Sequence, residues 1–566
     1  MKQQLEMAIR HYLQNTLPEG AALPEIHLSR PKQQGHGDYA CNVAMQLARV
    51  LRKSPQVIAQ QLVAGVDWPA VVAKAEVAGP GFLNIFLQQA AEAAVLGRAV
   101  MQGADYGRVA LRDDLPRVNL EFVSANPTGP MHVGHCRGAC VGDALGNVLI
   151  SQGYRLQREY YINDAGAQIG VLAESVWLRM RELNGATIDF PDGCYPGEYV
   201  VGIAQGILLE HPFAVLDALD ATVRQQLIAP LAVAANMAMI RGDLAALNIT
   251  FDHYFSESAL HDAGSVARLI AQLQHDGWVY RGTLPPPKGK EVVDYQPVEQ
   301  LLFRTTKCGD EVDRPLEKQD GTPTYFAADI AYHRDKFDRG FGRQIDIWGA
   351  DHGGYVARVQ AAVQAVTDLV GQPEVMLVQM VNLLRNGTPV KMSKRAGTFV
   401  TLREVVDEVG ADAVRFNFLT RRVESQLDFD LEAAKKQSEE NPVYYVQYAH
   451  ARCAAILRKA DEAGLLLLPP EAVDLALLGA PEEQRLVTMM LAYPEMLATA
   501  AERLEPYRVA TWLMAFAAAL HRFYHKQRVM VDDAEVSQAR LLLVRAVKQV
   551  LSNGLAMLGV RAPERM

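Results

Sequence analysis

This chain of 566 residues has little that would staple or wire it covalently. Its six cysteines (Cys41, Cys136, Cys140, Cys194, Cys308, Cys453) form no Cys-x-x-Cys pair, and only Cys136 and Cys140 lie one helical turn apart. Buried thiols of a reducing compartment fit that pattern, and no structural zinc is expected. No uninterrupted apolar run reaches the ~18 residues needed to cross a bilayer. The amphipathic opening, with Leu5, Ile9, Tyr12 and Leu13 on one face, lacks the apolar core and cleavage site of a signal peptide. A cytoplasmic protein with no membrane partner is the expectation. Positive charge is not in excess either: the formal net charge is −9. That excludes bulk coating of nucleic acid but leaves room for a local basic patch. Internal repeats and low-complexity tracts are missing, as are G-x-x-x-x-G-K-[ST] and a helix-opening G-x-G-x-x-G, so the common P-loop and dinucleotide-binding readings fall away.

What is present is enough chain for three or four domains, with 49% hydrophobic residues to fill their cores. Residues 1–110 read as an α+β unit: helical periods over 1–17 and 42–52, then strand-like stretches at 74–77 and 82–86 around Gly79-Pro80-Gly81. From 117 the pattern becomes strand (118–123), turn-rich loop (124–130), helix (138–150), strand (156–162) and helix (165–181), the opening of a doubly wound fold. Residues 185–320, with helical runs over 214–247 and the break at Pro285-Pro286-Pro287, read as an insertion. The core resumes at Tyr325, with a strand at 344–348, a helix at 356–370 and a strand at 374–381. Beyond about 402 the period is almost wholly helical. The expected class is α/β: a doubly wound parallel-sheet (Rossmann-like) catalytic core over 111–400, an N-terminal α+β domain over 1–110 and an all-α domain over 401–566.

Two short words about 250 residues apart carry the chemistry. His132-Val133-Gly134-His135 opens a helix, whose first N–H groups and positive dipole end suit an anion. Gly134 lets a nucleotide approach the backbone, and His132 and His135, three apart, share a face from which both can donate to phosphate oxygens. Lys391-Met392-Ser393-Lys394-Arg395 lies between Gly387 and Gly397, where two mobile ammonium groups suit a departing pyrophosphate. A third candidate, Asp351-His352, sits at the end of the 344–348 strand, where open α/β sheets bind ligands. In His521-Arg522-Phe523-Tyr524-His525-Lys526, cations alternate with aromatics, a pattern that serves phosphate pairing and base stacking or, equally, one ordinary amphipathic helix.

In this order around an α/β core, the two words resemble the twin signatures of class I aminoacyl-tRNA synthetases. The longer words narrow the resemblance to the arginyl-tRNA synthetases: Glu121-Phe122-Val123-Ser124-Ala125-Asn126-Pro127-Thr128-Gly129-Pro130-Met131, Gly410-Ala411-Asp412-Ala413-Val414-Arg415, residues 441–452, and the ending Leu558-Gly559-Val560-Arg561. It spans the whole chain. It implies ATP with Mg²⁺ and L-arginine as substrates, tRNA(Arg) as partner and a monomeric enzyme that needs tRNA in order to activate arginine. By the same resemblance, His132, His135, Lys391 and Lys394 are catalytic, with Gly134 and Ser393 completing the ATP contacts. Asp329, in the word Tyr325-Phe326-Ala327-Ala328-Asp329, receives the guanidinium with Tyr325 covering it and Glu121 nearby. Ser124 and Asn126, with His135, hold the amino-acid end; Asp351 lies in a loop that departs from the family pattern at Gly353, where a histidine is common. Phe82, Asn84, Tyr448, Arg452, Arg522 and Lys526 are the implied tRNA contacts. A class I enzyme of another specificity, or a tRNA-binding paralogue without activity, remains an alternative at this stage, although both phosphate words are intact.

Overall fold

The computed structural model describes residues 2–18, 20–31, 35–284, 298–318, 321–367, 370–390 and 400–566. The chain forms two compact units. One gathers Met1–Gly103 with Ile456–Ala492 and Ala519–Val550; the other gathers Ala104–Ala455, Tyr493–Ala518 and Leu551–Met566.

The first unit opens with the helix Lys2–Thr16, whose Leu5, Ile9 and Leu13 recur every four residues and are buried. An antiparallel sheet follows, ordered Leu28–Ser29, Tyr39–Cys41, Phe82–Leu87, Val72–Ala78. Alternation along Phe82–Leu87 sends Leu83, Ile85 and Leu87 into a core shared with Leu47, Ile58 and Leu62 of the helices Val43–Leu51 and Pro55–Gly65. Phe82 and Asn84 therefore share the opposite face.

The second unit is built on a five-stranded, wholly parallel sheet. Its order is Gln372–Val378, Arg343–Gly349, Val118–Phe122, Leu156–Ile162, His253–Ser256. Counted along the chain from the His253–Ser256 edge this is 3-2-1-4-5, the doubly wound arrangement expected from the sequence. Strand order reverses between Val118–Phe122 and Arg343–Gly349, so the ligand crevice belongs at their carboxyl ends. The helix Val133–Ser151 lies so close to this sheet that a side chain on Gly142 would overlap the Phe122 ring.

Two sequence expectations change. The span 185–320, expected to stand outside the core, supplies the edge strand His253–Ser256, which pairs in parallel with residues 159–162. The region beyond 402 is helical except for Leu427–Asp430, which pairs with Val381–Arg385. The helix Ala221–Ala246 is long and apolar enough, by length and composition, to cross a membrane. It nonetheless packs Ile228 and Ala232 against Leu172 and Val176 of the helix Ala167–Leu183.

Much of the distinctive vocabulary turns out to be framework. Arg415 is fully buried and donates to the carbonyls of Leu558 (2.7 Å) and Leu247 (2.8 Å) and to the Asp143 carboxylate. Asp412 accepts from Gln447 (3.1 Å) and from Arg561 Nε (2.9 Å). One buried guanidinium thereby ties together the middle of the helix Val133–Ser151, the end of the helix Ala221–Ala246 and the turn at Leu558.

Candidate active site

The site begins where the central strand ends. Ser124 N–H donates to the Phe122 carbonyl (3.0 Å) across Val123, whose φ is +70°, and Ser124 itself has φ +40°. Non-glycine residues rarely occupy this region and β-branched ones less still; such strain costs about 1–3 kcal/mol per residue and gathers at functional sites. The turn aims Ser124 Oγ back at the crevice, where it donates to Glu121 Oε1 (2.9 Å) and accepts from Tyr161 N–H (3.1 Å).

Nine residues on, the helix Val133–Ser151 starts, and its first turn is not an open anion nest as the sequence suggests. Val133 N–H donates to the Val400 carbonyl (3.2 Å), Gly134 N–H to His132 Nδ1 (3.1 Å) and His135 N–H to the His132 carbonyl (2.9 Å). His135 Nδ1 in turn accepts from His132 N–H (3.2 Å), so the two histidines make a reciprocal capping box. Their rings stack with centroids 3.9 Å apart. Because each Nδ1 accepts a backbone proton, the neutral ring carries its own proton on Nε2. The backbone donors of this turn are already used, so an anion here would be met by the imidazoles rather than by open N–H groups.

Acidic groups gather on the other side of the crevice. Asp329, one turn into the helix Tyr325–Asp338, is capped by the Tyr355 hydroxyl. Burial, with Glu121, Glu257 and Asp346 as like-charged neighbours, pushes its carboxyl up to about 7. Glu257 starts a short helix after the edge strand; burial raises it too, and the Tyr161 hydroxyl bonds it. Asp164 fixes that helix start by accepting from Ser256 Oγ (2.7 Å) and Ser258 N–H (2.8 Å). Glu121 and Asp346 are neutralised from below by Lys336, fully buried, at 2.6 and 2.8 Å. Burial lowers the Lys336 ammonium and the two carboxylates outweigh it, so its pKa is raised overall. Nearby His333 is held down to about 4, neutral against Gln344. Glu257 has the His261 imidazole, 3.8 Å away, as an ionic neighbour, and Asp329 has none among the described residues. A buried pair of carboxyl groups with hydroxyl caps is suited to a planar, permanently charged cation.

The structure brings Glu121, Ser124 and Asp329 together, although Glu121 is committed to Lys336 and Ser124. Tyr325 is 60% exposed, four residues before Asp329 on one helical face, under the Lys318 ammonium at 5.7 Å. Asn126 is exposed and donates to Gln168 (2.9 Å). Asp351 is exposed on the turn Ala350–Tyr355, with His352 at 3.8 Å rather than the acidic cluster as its ionic neighbour. Lys391, Ser393 and Lys394 lie outside the described residues. The roots of their loop do not: Val390 N–H donates to Leu383 (2.9 Å), and Leu402 N–H donates to Met131 (2.8 Å), just before His132. Glu257, Tyr355, Tyr161 and Lys336 were not singled out in the sequence; each becomes visible only once strands far apart in the chain are paired.

Of the other candidates, Phe82 is exposed and Asn84 buried beside it on the outer sheet face, where a cavity of about 420 Å³ opens against Phe82. Arg452 lies over the Tyr448 ring (4.5 Å) and bonds its hydroxyl (2.9 Å). On the helix Tyr507–Lys526, Phe523 and His521 are buried, while Arg522, Tyr524 and Lys526 are exposed. The alternation is partly core and partly surface.

Comparison with known proteins agrees with this geometry. Residues 3–87 match the family model "Arginyl tRNA synthetase N terminal domain", residues 97–190 "tRNA synthetases class I (R), catalytic domain", and residues 446–566 "DALR anticodon binding domain". The chain is 48% identical over 576 residues to an "Arginine--tRNA ligase" of Rhodopseudomonas palustris, covering 98% of this chain and 95% of that one. It is 47% identical to the protein of the same name from Magnetococcus marinus, covering all of both. The fold is shared with "Thermus thermophilus arginyl-tRNA synthetase", with a TM-score of 0.76, 24% identity and full coverage of both chains.

Proposed function

The chain belongs to the arginyl-tRNA synthetases, and on that premise we propose how its site performs the reaction. It is a class I ligase that joins L-arginine to tRNA with ATP. An oxygen of the arginine carboxylate attacks the α-phosphate in line, the bond to pyrophosphate breaks, and arginyl-adenylate forms. The 2′-OH of the terminal adenosine then attacks the activated carbonyl carbon, and AMP leaves. No side chain acts as a covalent nucleophile. The protein positions reactants and stabilises the charge that develops on phosphate.

In this reading Asp329 and Glu257 take the guanidinium, with Tyr325 over it and Tyr355 and Tyr161 orienting the carboxyl groups. Lys336 and Glu121 form the floor. Ser124 and Asn126, with His135, hold the amino-acid end. His132 and His135 donate Nε2–H to phosphate oxygens beside Gly134; Lys391, Ser393 and Lys394 take the departing pyrophosphate. Mg²⁺ enters with ATP as part of that substrate. Asp351, exposed and turned to His352, keeps a secondary place at the rim. Residues 1–110, through Phe82 and Asn84, meet the elbow of the tRNA. Residues 401–566, through Tyr448, Arg452, Arg522 and Lys526, meet the anticodon arm. The working form is a cytoplasmic monomer.

The observation that supports the specificity is the acidic crevice: Asp329 under the Tyr355 hydroxyl with Glu121, Glu257 and Asp346 as like-charged neighbours, which suits a cationic side chain. A panel of amino acids in ATP–pyrophosphate exchange, with and without tRNA, tests it. Arginine with cognate tRNA should be the one productive pair. Preferential exchange with another amino acid, or none with arginine, would overturn the reading.

A further inference from the structure

We propose that Tyr199 and Asn236, in the span 185–320 that the sequence reads as an insertion, are positioning residues for arginine activation that act by holding the backbone of the loop 125–130. That loop joins Ser124 to His132 and carries Asn126, so its shape fixes two groups of the site relative to each other. It is poorly equipped to hold itself. Pro127 and Pro130 have no N–H, and its own bond is Thr128 N–H to the Asn126 carbonyl (2.8 Å). Its carbonyls must find donors elsewhere.

Three side chains from three elements supply them. Tyr160 Oη, on the strand Leu156–Ile162, donates to the Ala125 carbonyl (2.7 Å). Asn236 Nδ2, fully buried on the helix Ala221–Ala246, donates to Pro127 (3.0 Å). Tyr199 Oη, on the helix Glu198–Glu210, donates to Thr128 (2.6 Å). Gly129 makes the last contact possible, because a side chain there would stand 3.0 Å from Tyr199 Oη.

Tyr199 and Asn236 both line an open groove of about 420 Å³ between their helices, with Ile203, Gly206 and Met239. The Tyr199 ring is therefore not wedged on that side, and its hydroxyl bond is a specific tether. The two helices also brace each other through Ile203, Ile207 and Ile228, so they form a stiff arm with the loop at its end. The arm sets where His132 meets the triphosphate, a contact whose geometry matters most in the transition state.

This rests on the functional reading above. If that reading fails, the parent protein shows no arginine-dependent exchange; if only this proposal fails, the parent is active and the variants match it. The test uses the full-length protein with cognate tRNA, comparing Tyr199→Phe, Asn236→Leu and the double variant in pyrophosphate exchange and thermal melting. Each single change should lower kcat about tenfold, short of the ~10²-fold loss that a 1 Å misplacement can cause. The KM for ATP should stay within about twofold, and Tyr199→Phe should melt with the parent, since only one hydroxyl is lost. The double loss should fall well short of the product, because both tethers serve one loop. Gly202→Ala, where a methyl meets open space on the same helix, should leave kcat unchanged. A normal kcat for Tyr199→Phe would overturn the proposal even if Asn236→Leu does not fold. So would a lowered kcat that comes with a raised ATP KM and a lowered melting temperature, or multiplicative losses in the double variant.

Discussion

Arginine binding to this protein should expel a proton near neutral pH, and the amount follows from the acidic crevice. Asp329 ionises at about 7 rather than the ordinary 3.8, because burial and the carboxylates of Glu121, Glu257 and Asp346 oppose its charge more than the Tyr355 hydroxyl favours it. The stabilising contribution of such a raised carboxyl in the empty protein is fully present below its unfolded pKa. It is lost as pH rises through about 7, and it amounts to on the order of 4 kcal/mol for a displacement of this size. A guanidinium stays cationic throughout and bonds only the ionised carboxylate, so binding returns Asp329 toward its ordinary range. At pH 6 about 0.9 proton should leave per arginine bound, and at pH 8 about 0.1, with Kd weakening roughly tenfold per pH unit below 7. Isothermal titration calorimetry in two buffers of different ionisation enthalpy, at pH 6, 7 and 8, reads the proton count directly. Glu121 and Asp346 share the Lys336 ammonium and should add little, whereas Glu257, also raised by burial, adds to the release. Buffer-independent heats at pH 6 with an unchanged Kd would refute the reasoning.

The remaining expectations concern single groups and one partner. Asp329→Asn should raise the melting temperature of the empty protein at pH 8, by relieving buried like charge, while arginine's KM rises steeply and ATP's stays close to normal; equal damage to both would assign the residue to folding. Lys336→Met leaves Glu121 and Asp346 buried without their cation and should lose about 3–5 kcal/mol in urea unfolding, so a variant as stable as the parent would remove the lysine from the framework. Lys394→Ala should slow adenylate formation by roughly 10²–10³-fold with arginine binding barely changed, the scale of one strong electrostatic donor; near-normal exchange would take this loop out of the catalytic account. Pyrophosphate exchange should be negligible with protein alone and restored by cognate tRNA, and a truncation ending near residue 430 should not recover it. Brisk exchange by the intact protein without tRNA would sink that coupling and leave the two phosphate motifs untouched.

The parts of this architecture that repeat locally could be read in advance. Val118–Phe122 and Leu156–Ile162 announce themselves as buried strands, and the helices after each follow from period and turn residues. The edge strand His253–Ser256 did not, because four residues without alternation, inside an irregular span, carry no usable period. Glu257 was hidden with it. Lys336 was invisible for a different reason: its partners lie 215 residues before it, on a neighbouring strand, and 10 residues after it. The histidine motif was found, but its expected open N–H groups were not, since a sequence does not say whether an imidazole will cap its own helix. The resemblance supplied Asp329 in the arginine pocket; the physics of why it can serve there came only with its neighbours.

The separation of the two phosphate motifs is itself a property of the framework. Arg137, half a turn after His135 and fully buried, donates through its fork to the carbonyls of Gln379 (3.0 Å), Ser425 (2.7 Å) and Arg422 (2.8 Å). Gln379 lies two residues before the hairpin of Val381–Arg385 and Thr388–Pro389, which leads the chain to Lys391. On the far side, residues 400–402 bond back to Met131 and Val133, astride His132. Both roots of the lysine loop are therefore referenced to the helix that carries the histidines. A lysine at 137 could offer charge to this junction but not a rigid fork reaching three carbonyls at once. The long sequence distance between the motifs is thus reduced to one turn of helix plus two sets of backbone bonds. The proposed grip of the two motifs on a single triphosphate rests on that arrangement.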